Sequence, residues 1–223
     1  MAIIENNIFK KLRNDLEAHD ERRERVIRLS RDVIKLSKQV IYSLHRHDLR
    51  PAASYATDMK NVLAKMQGLV DKKLYCQGAF KVAVMEYVEA MCYLHYVKTG
   101  KLLDPASLGV DTEFYLMGIS DLTGELIRFA VNAGSRGDFK EIVKTRDFVQ
   151  EIYLNLMTFT FYGGELRKKF DAIKWDLKRL DEMVFELEMR DKLRSVKSRS
   201  TKTGPKKTGS KAKSRTKSRT KRT

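Results

Sequence analysis

Proline is almost missing from the body of this 223-residue chain: only Pro51 and Pro105 precede residue 200. Glycine is sparse as well, at 12 residues. An all-β sandwich or barrel needs turn residues about every 8–12 positions, so the composition excludes that class and points to long helices. Cysteine is limited to Cys76 and Cys92, both in apolar surroundings and without C-x-x-C spacing. That argues against a disulfide framework or a zinc module and for buried thiols in a reducing compartment. A long opening apolar run is lacking too: Ile3 and Ile4 are followed at once by Glu5 and Asn6. The expectation is a cytoplasmic protein with no signal peptide and no membrane association. What the chain does have is 42% hydrophobic residues, enough to build a core and to exclude wholesale disorder.

Acidic residues are absent from 196–223, which holds 12 Lys and Arg. The formal charge of +16 therefore falls to +4 on residues 1–195. The tail, VKSRSTKTGPKKTGSKAKSRTKSRTKRT, repeats a Lys/Arg–Ser/Thr pattern and carries one apolar side chain larger than alanine. It cannot bury enough surface to offset the entropy of ordering it, so a disordered cationic arm is expected there. Such arms bind polyanions through counterion release, nucleic acid foremost; a merely solubilising extension is the alternative. Two parts follow, a helical domain over 1–195 and a Lys/Arg/Ser/Thr-rich tail over 196–223.

Helical periodicity fills the first part. Residues 5–47 contain neither Pro nor Gly, and Val26, Leu29, Val33, Leu36, Val40 and Leu44 recur in alternating steps of three and four. Further helices are predicted from Pro51 to about Tyr75, over 79–98, from a cap at Asp111 or Thr112 to about Asn132, over 138–161 and over 165–194. The last carries Leu166, Phe170, Ile173, Leu177, Leu180, Val184 and Leu187 in coiled-coil-like steps. No βαβ alternation or solenoid repeat is present. An all-α bundle of six or seven long antiparallel helices is the reading.

Two segments stand apart. Residues 79–97 (AFKVAVMEYVEAMCYLHYV) and 114–132 (FYLMGISDLTGELIRFAVN) each hold three charged residues in 19, against 33% for the chain. Helices apolar nearly all round are the central helices of a bundle; a membrane span is the rival, disfavoured by carboxylates at mid-helix. Glu86 and Glu89 are spaced i, i+3, and Asp121 and Glu125 are spaced i, i+4, so each pair shares a face. Buried like charges cost several kcal/mol each, by order of magnitude, unless something neutralises them. Arg128 can serve one. A divalent cation can serve several, and oxygen-only ligands suit Mg²⁺ or Mn²⁺. Pairing with Lys and Arg of other helices, or a solvated seam, is the alternative, and spacing alone leaves both open. Gly118 and Gly124 suggest close approach of a neighbouring helix. A di-iron bundle would need Glu-x-x-His, and the residues three before His19, His45, His47 and His95 are Leu16, Tyr42, Leu44 and Cys92. An all-acidic site on helices favours phosphoryl or phosphodiester chemistry.

On the first helix, Arg28, Arg31, Lys35 and Lys38 sit two residues after successive apolar positions, about 200° away at ~100° per residue. Together with Arg22, Arg23 and Arg25 they form a basic stripe opposite the apolar one. It is either a solvated face or a set of phosphate contacts.

The stretch HDERRERVIRLSRDVIKLSKQVIYSLHR, His19 to Arg46, resembles the first helix of the translin family. His19-Asp20, Glu24-Arg25, Leu29-Ser30-Arg31-Asp32, Ser37-Lys38 and Leu44-His45-Arg46 carry the match. EYVEAMCYLHYVKTGKLL, Glu86 to Leu103, and YLMGISDLTGELIRFAVNAGSRGDF, Tyr115 to Phe139, extend it over most of residues 10–190. One branch of that family binds nucleic acid without catalysis. The other, like translin-associated factor X, carries acidic residues that make the pair an RNA endonuclease. All four acidic positions of the second branch are filled here, by Glu86, Glu89, Asp121 and Glu125.

The resemblance implies a Mg²⁺- or Mn²⁺-dependent endoribonuclease acting on single-stranded RNA or short duplexes inside an oligomeric, roughly octameric shell. Such a shell is built from copies of this chain or with a separate translin-like partner. Glu86, Glu89 and Asp121 are then expected to ligate the metal, and Glu125 to ligate it or orient water. Arg25, Arg28, Arg31 and Lys38 are candidates for RNA phosphate contacts; Phe80, Tyr87 and Tyr93 for base stacking or the core; His95 for a phosphate or the core. The rivals are a non-catalytic nucleic-acid-binding scaffold and an all-α nucleotide pyrophosphohydrolase.

Overall fold

A computed structural model describes residues 6–75 and 78–202. The described residues form seven α-helices and no strand: α1 (Asn6–His45), α2 (Leu49–Gln67), the single turn α3 (Lys72–Tyr75), α4 (Gly78–Thr99), α5 (Thr112–Ser135), α6 (Phe139–Leu156) and α7 (Gly164–Lys202). A 3₁₀ turn at Pro105–Ser107 bridges α4 and α5, with Asp104 Oδ1 accepting from the Ala106 N–H at 2.8 Å. A first compact unit closes at Phe185, and the remainder of the chain from Glu186 belongs to a second.

Within the first unit, α4 packs against α1, α2, α3 and α5, and α6 covers α5. The two charge-poor segments are thus the central helices. Thirteen residues of α4 and fourteen of α5 are buried. None of the helices among the described residues is long and apolar enough to cross a membrane. The stripe on α1 is realised as Val26, Val33, Val40 and Leu44, all at 0% exposure. Phe170, Ile173, Leu180 and Val184 of α7 are buried in the same manner. Cys92 is a free thiol in the core, its pKa pushed up to about 12 by burial; Cys76 lies outside the described residues.

Several boundaries differ from expectation. The second helix stops at Gln67, where the Gly68 N–H returns to the Ala64 carbonyl at 3.2 Å, and Asp71 starts the short α3 by accepting from the Lys73 and Leu74 N–H groups. α6 ends at Leu156, five residues before the expected 161. Asp111 occupies the N-cap position of α5 without capping it, because its carboxylate accepts the Tyr75 hydroxyl instead. α7 continues to Lys202, so 196–202 of the expected tail is helical; 203–223 lies outside the described residues.

Gly118 is where α4 and α5 meet most closely. A Cβ added there would lie 2.6 Å from the Cβ and Cγ1 of Val88 and 2.9 Å from the Met85 carbonyl oxygen. That contact sets Glu89, next to Val88, near the turn of α5 that bears Asp121. Gly124, expected to serve the same purpose, has nothing within 4 Å of such a Cβ and is exposed: it faces away from α4.

Candidate functional site: an acid cluster between α4 and α5

Glu89 is the centre of the site. Its residue exposure is 9%, and it has no hydrogen-bond or ion-pair partner among the described residues. Burial, then the charges of Glu86, Asp121 and Glu125, push its pKa up to about 9, against a smaller opposing effect of Lys169. At neutral pH this carboxyl holds a proton. The other three acids singled out by the sequence therefore all act on Glu89.

Three of them are each held by a side chain from another helix. Ser37 of α1 donates its hydroxyl to Glu86 Oε2 at 2.7 Å. His45, two turns further along α1, places Nε2 2.5 Å from Glu125 Oε2, and Arg128 lies 3.3 Å from the same oxygen. Since a carboxylate only accepts, His45 Nε2 is the donor, and its Nδ1 faces the hydroxyl of fully buried Tyr93 at 3.2 Å. Lys169 of α7 sets its ammonium 2.7 Å from both carboxylate oxygens of Asp121. The Asp121 pKa is nonetheless raised, because burial outweighs the lysine.

The sequence signalled the acids because charge is rare on α4 and α5. Their holders gave weaker signals. Ser37 is a hydroxyl on the apolar face of α1, in register with Val33, Val40 and Leu44. Lys169 adjoins the apolar stripe of α7 and looks like an ordinary flanking charge.

This donor set can be tested for a divalent cation. Among the described residues, no three of His, Cys, Asp and Glu stand together as a formed metal-binding group. Asp121 and Glu125 are turned onto Lys169 and His45. The chemistry of the set nevertheless fits a hard cation: every donor is a carboxylate oxygen, and Glu89 is a buried, partnerless acid whose charge the other three oppose. For Asp121 to ligate, its ion pair with Lys169 has to open.

Other expected site residues are placed as follows. Arg25, Arg28, Arg31 and Lys38 are all exposed. Arg25 and Arg28 line a shallow cleft of about 350 Å³ with Lys65 of α2. Ser37 belongs to the buried face of α1, whereas these four basic residues lie on its solvent side. Phe80, Tyr87 and Tyr93 are core residues at 3%, 3% and 0% exposure, with Phe80 against Tyr75 and Phe114 and Tyr93 against Phe129, and are not available for base stacking. His95 is half-buried, six residues beyond Glu89. A cleft of about 460 Å³, lined in part by Leu116, Ile119, Phe148 and Ile152, contains none of the four acids.

Comparison with known proteins agrees with this architecture. Translin-associated protein X from Pongo abelii is 26% identical over 234 residues, spanning 82% of this chain and 78% of that protein. The crystal structure of apo-NeC3PO superposes with a TM-score of 0.76 at 26% identity, over 83% of this chain and 98% of that one. The AfC3PO–duplex RNA complex has the same fold, with a TM-score of 0.73 at 23% identity over 82% and 97% of the two chains. The Translin family profile matches residues 21–191. The chain belongs to the Translin family, and resembles its translin-associated protein X members over most of its length.

Proposed function

We propose that this protein is a metal-dependent endoribonuclease, and that Glu86, Glu89, Asp121 and Glu125 hold a Mg²⁺ or Mn²⁺ ion. One observation carries the reading: Glu89 is buried, has no partner, and is surrounded by three further carboxylates that oppose its ionisation. A fold stabilised only by its packing gains nothing from such a group, whereas a cation site needs it. When bound, a hard divalent cation supplies neutralisation of phosphate charge and activation of water.

The residues divide the remaining work. Glu86 and Glu89 share one face of α4, and Asp121 and Glu125 share one face of α5. Ser37 fixes the Glu86 carboxylate, and the Tyr93–His45 pair fixes Glu125, so that two of the four oxygen donors are oriented before substrate arrives. Glu125, hydrogen-bonded to an imidazole, is the carboxylate best placed to orient a water or exchange a proton. The exposed Arg25, Arg28, Arg31 and Lys38 bind RNA phosphates. The substrate is single-stranded RNA or a short duplex. Assembly of several copies into a shell, or with a translin-like partner, would bring one chain's stripe and another's acids onto one strand. AfC3PO, captured with duplex RNA, is a protein of this fold that lies against RNA.

A second reading rests on the engagement of Asp121 by Lys169 and of Glu125 by His45 and Arg128. If those pairs are permanent, the acids are structural and the protein is an RNA-binding scaffold. Labelled RNA incubated with Mg²⁺, with EDTA and with the Glu89→Gln variant separates the two. Metal-dependent cleavage lost in the variant supports the nuclease. Binding without cleavage by either protein supports the scaffold. Release of pyrophosphate from nucleoside triphosphates with RNA left intact would overturn both.

A further inference from the structure

Among the described residues, Lys169 is the one cationic group within contact distance of Asp121, and its placement is not that of a loose surface lysine. It projects from the second turn of α7, and the flanking turns are fastened on both sides. Glu165 is 3.1 Å from Lys81 of α4, and the Thr123 hydroxyl of α5 donates to Asp176 at 2.7 Å. Phe170, next in sequence, stacks on Tyr153 with centroids 5.5 Å apart and planes 14° from parallel, and Ile173 is fully buried. The ammonium is therefore delivered to Asp121 by a braced helix, with both carboxylate oxygens at 2.7 Å.

We infer that Lys169 is the built-in counter-ion of the acid cluster, and that it and a divalent cation bind Asp121 in exchange for each other. The inference rests on the metal reading proposed above. Both oxygens of Asp121 already accept from the ammonium, and a hard cation would take at least one of them. An ammonium and a divalent ion at contact distance repel one another strongly in a partly buried site, so the two do not share the carboxylate comfortably. With Lys169 in place, both oxygens of Asp121 are taken up by the ammonium. With Lys169 displaced, the cluster regains a full carboxylate, and the freed ammonium stands one helix turn from Glu165, at the edge of the site where a phosphate oxygen would accept from it. The exchange makes metal affinity a property of α7 as well as of α4 and α5.

The test is Mn²⁺ binding by the full-length protein without RNA, followed through the electron paramagnetic resonance signal of free Mn²⁺. Wild type is compared with Lys169→Met and Lys169→Gln, each repeated with Asp121→Asn. Gln keeps a donor for Asp121 without the charge, and covers the case in which Met perturbs folding. Both variants are expected to bind Mn²⁺ at least about 10-fold more tightly than wild type, and the gain is expected to vanish with Asp121→Asn, as coupled partners require. Unchanged or weaker binding by both variants, with wild type still binding, overturns the exchange and leaves the metal reading standing. Absence of Mn²⁺ binding in every protein overturns both. A gain that persists with Asp121→Asn overturns the exchange as well, since it would reflect only the change in net charge.

Discussion

At the scale of single residues, Glu89 makes the most direct demand on experiment. Its carboxyl ionises at about 9 in the folded protein and near 4.5 in the unfolded chain. Below pH 4.5 both states carry the proton and the group is neutral in its effect. Between pH 4.5 and about 9 the unfolded chain releases the proton while the folded chain keeps it, so folding stability falls as pH rises; above about 9 the loss levels off. The slope contributed is at most ~1.4 kcal/mol per pH unit. Urea unfolding at pH 5, 6.5 and 8 is expected to show wild type losing stability relative to Glu89→Gln at each step, and parallel curves would refute the assignment. His45 makes a second demand. It touches Glu125 rather than substrate, so it is a positioning residue, and His45→Leu is expected to lower RNA cleavage by ~10- to 100-fold. His45→Gln, which retains a donor in place of Nε2, is expected to restore part of that rate with KM unchanged; equal rates for the two variants would mean that the imidazole only fills space. The acids themselves were legible from the sequence because three charges in 19 residues is rare on a core helix. Ser37, His45 and Lys169 were not, since each is paired across 48 to 80 residues of chain and only the folded arrangement selects the partner.

Among the elements, the contact between α4 and α5 sets how near the acids of one helix come to those of the other. Gly118 permits it, and the sequence pointed there through a glycine in the middle of an apolar helix. The same signal at Gly124 misled, because a helical glycine reports either close approach or mere tolerance, and periodicity alone cannot say which face is covered. The two sites carry opposite expectations. Gly118→Ala drives a methyl into the Val88 side chain and the Met85 carbonyl, and is expected to destabilise by ~1–3 kcal/mol while shifting Glu89 relative to Asp121. Gly124→Ala meets open space in a helix interior and is expected to stabilise by ~0.5–1 kcal/mol. Chemical denaturation of both variants checks the pair, and equal signs would contradict the packing described here. The helix limits were less legible. The sequence predicts a helix from Pro51 to about Tyr75, whereas the chain breaks at Gly68 and restarts on Asp71, whose side chain accepts from two main-chain N–H groups.

For the molecule as a whole, charge is divided between an acid cluster inside and cationic groups outside. The site draws on α1, α4, α5 and α7, so no single segment could be expected to show it. The fold class was legible because the scarcity of Pro and Gly and the 3.6-residue period agree over most of the chain; the end of α7 was not, since a Lys/Arg-rich sequence continues the helix to Lys202 with little apolar support. Residues 203–223 add nine Lys and Arg with no acid. If they serve RNA, deletion after Lys202 removes sequence-independent electrostatic contacts and spares the carboxylates. Each single-strand phosphate neutralised contributes ~0.7 to the slope of log K against log salt, so full engagement of the segment would flatten that slope by ~6. RNA binding by the truncated protein is expected to weaken most at low salt, with a shallower salt dependence, whereas the cleavage rate at saturating RNA stays at the full-length value. An unchanged slope would show that the cationic segment serves something other than RNA. A lost cleavage rate at saturation would place part of the catalytic machinery beyond Lys202, against the closure of the acid cluster by residues no later in the chain than Lys169.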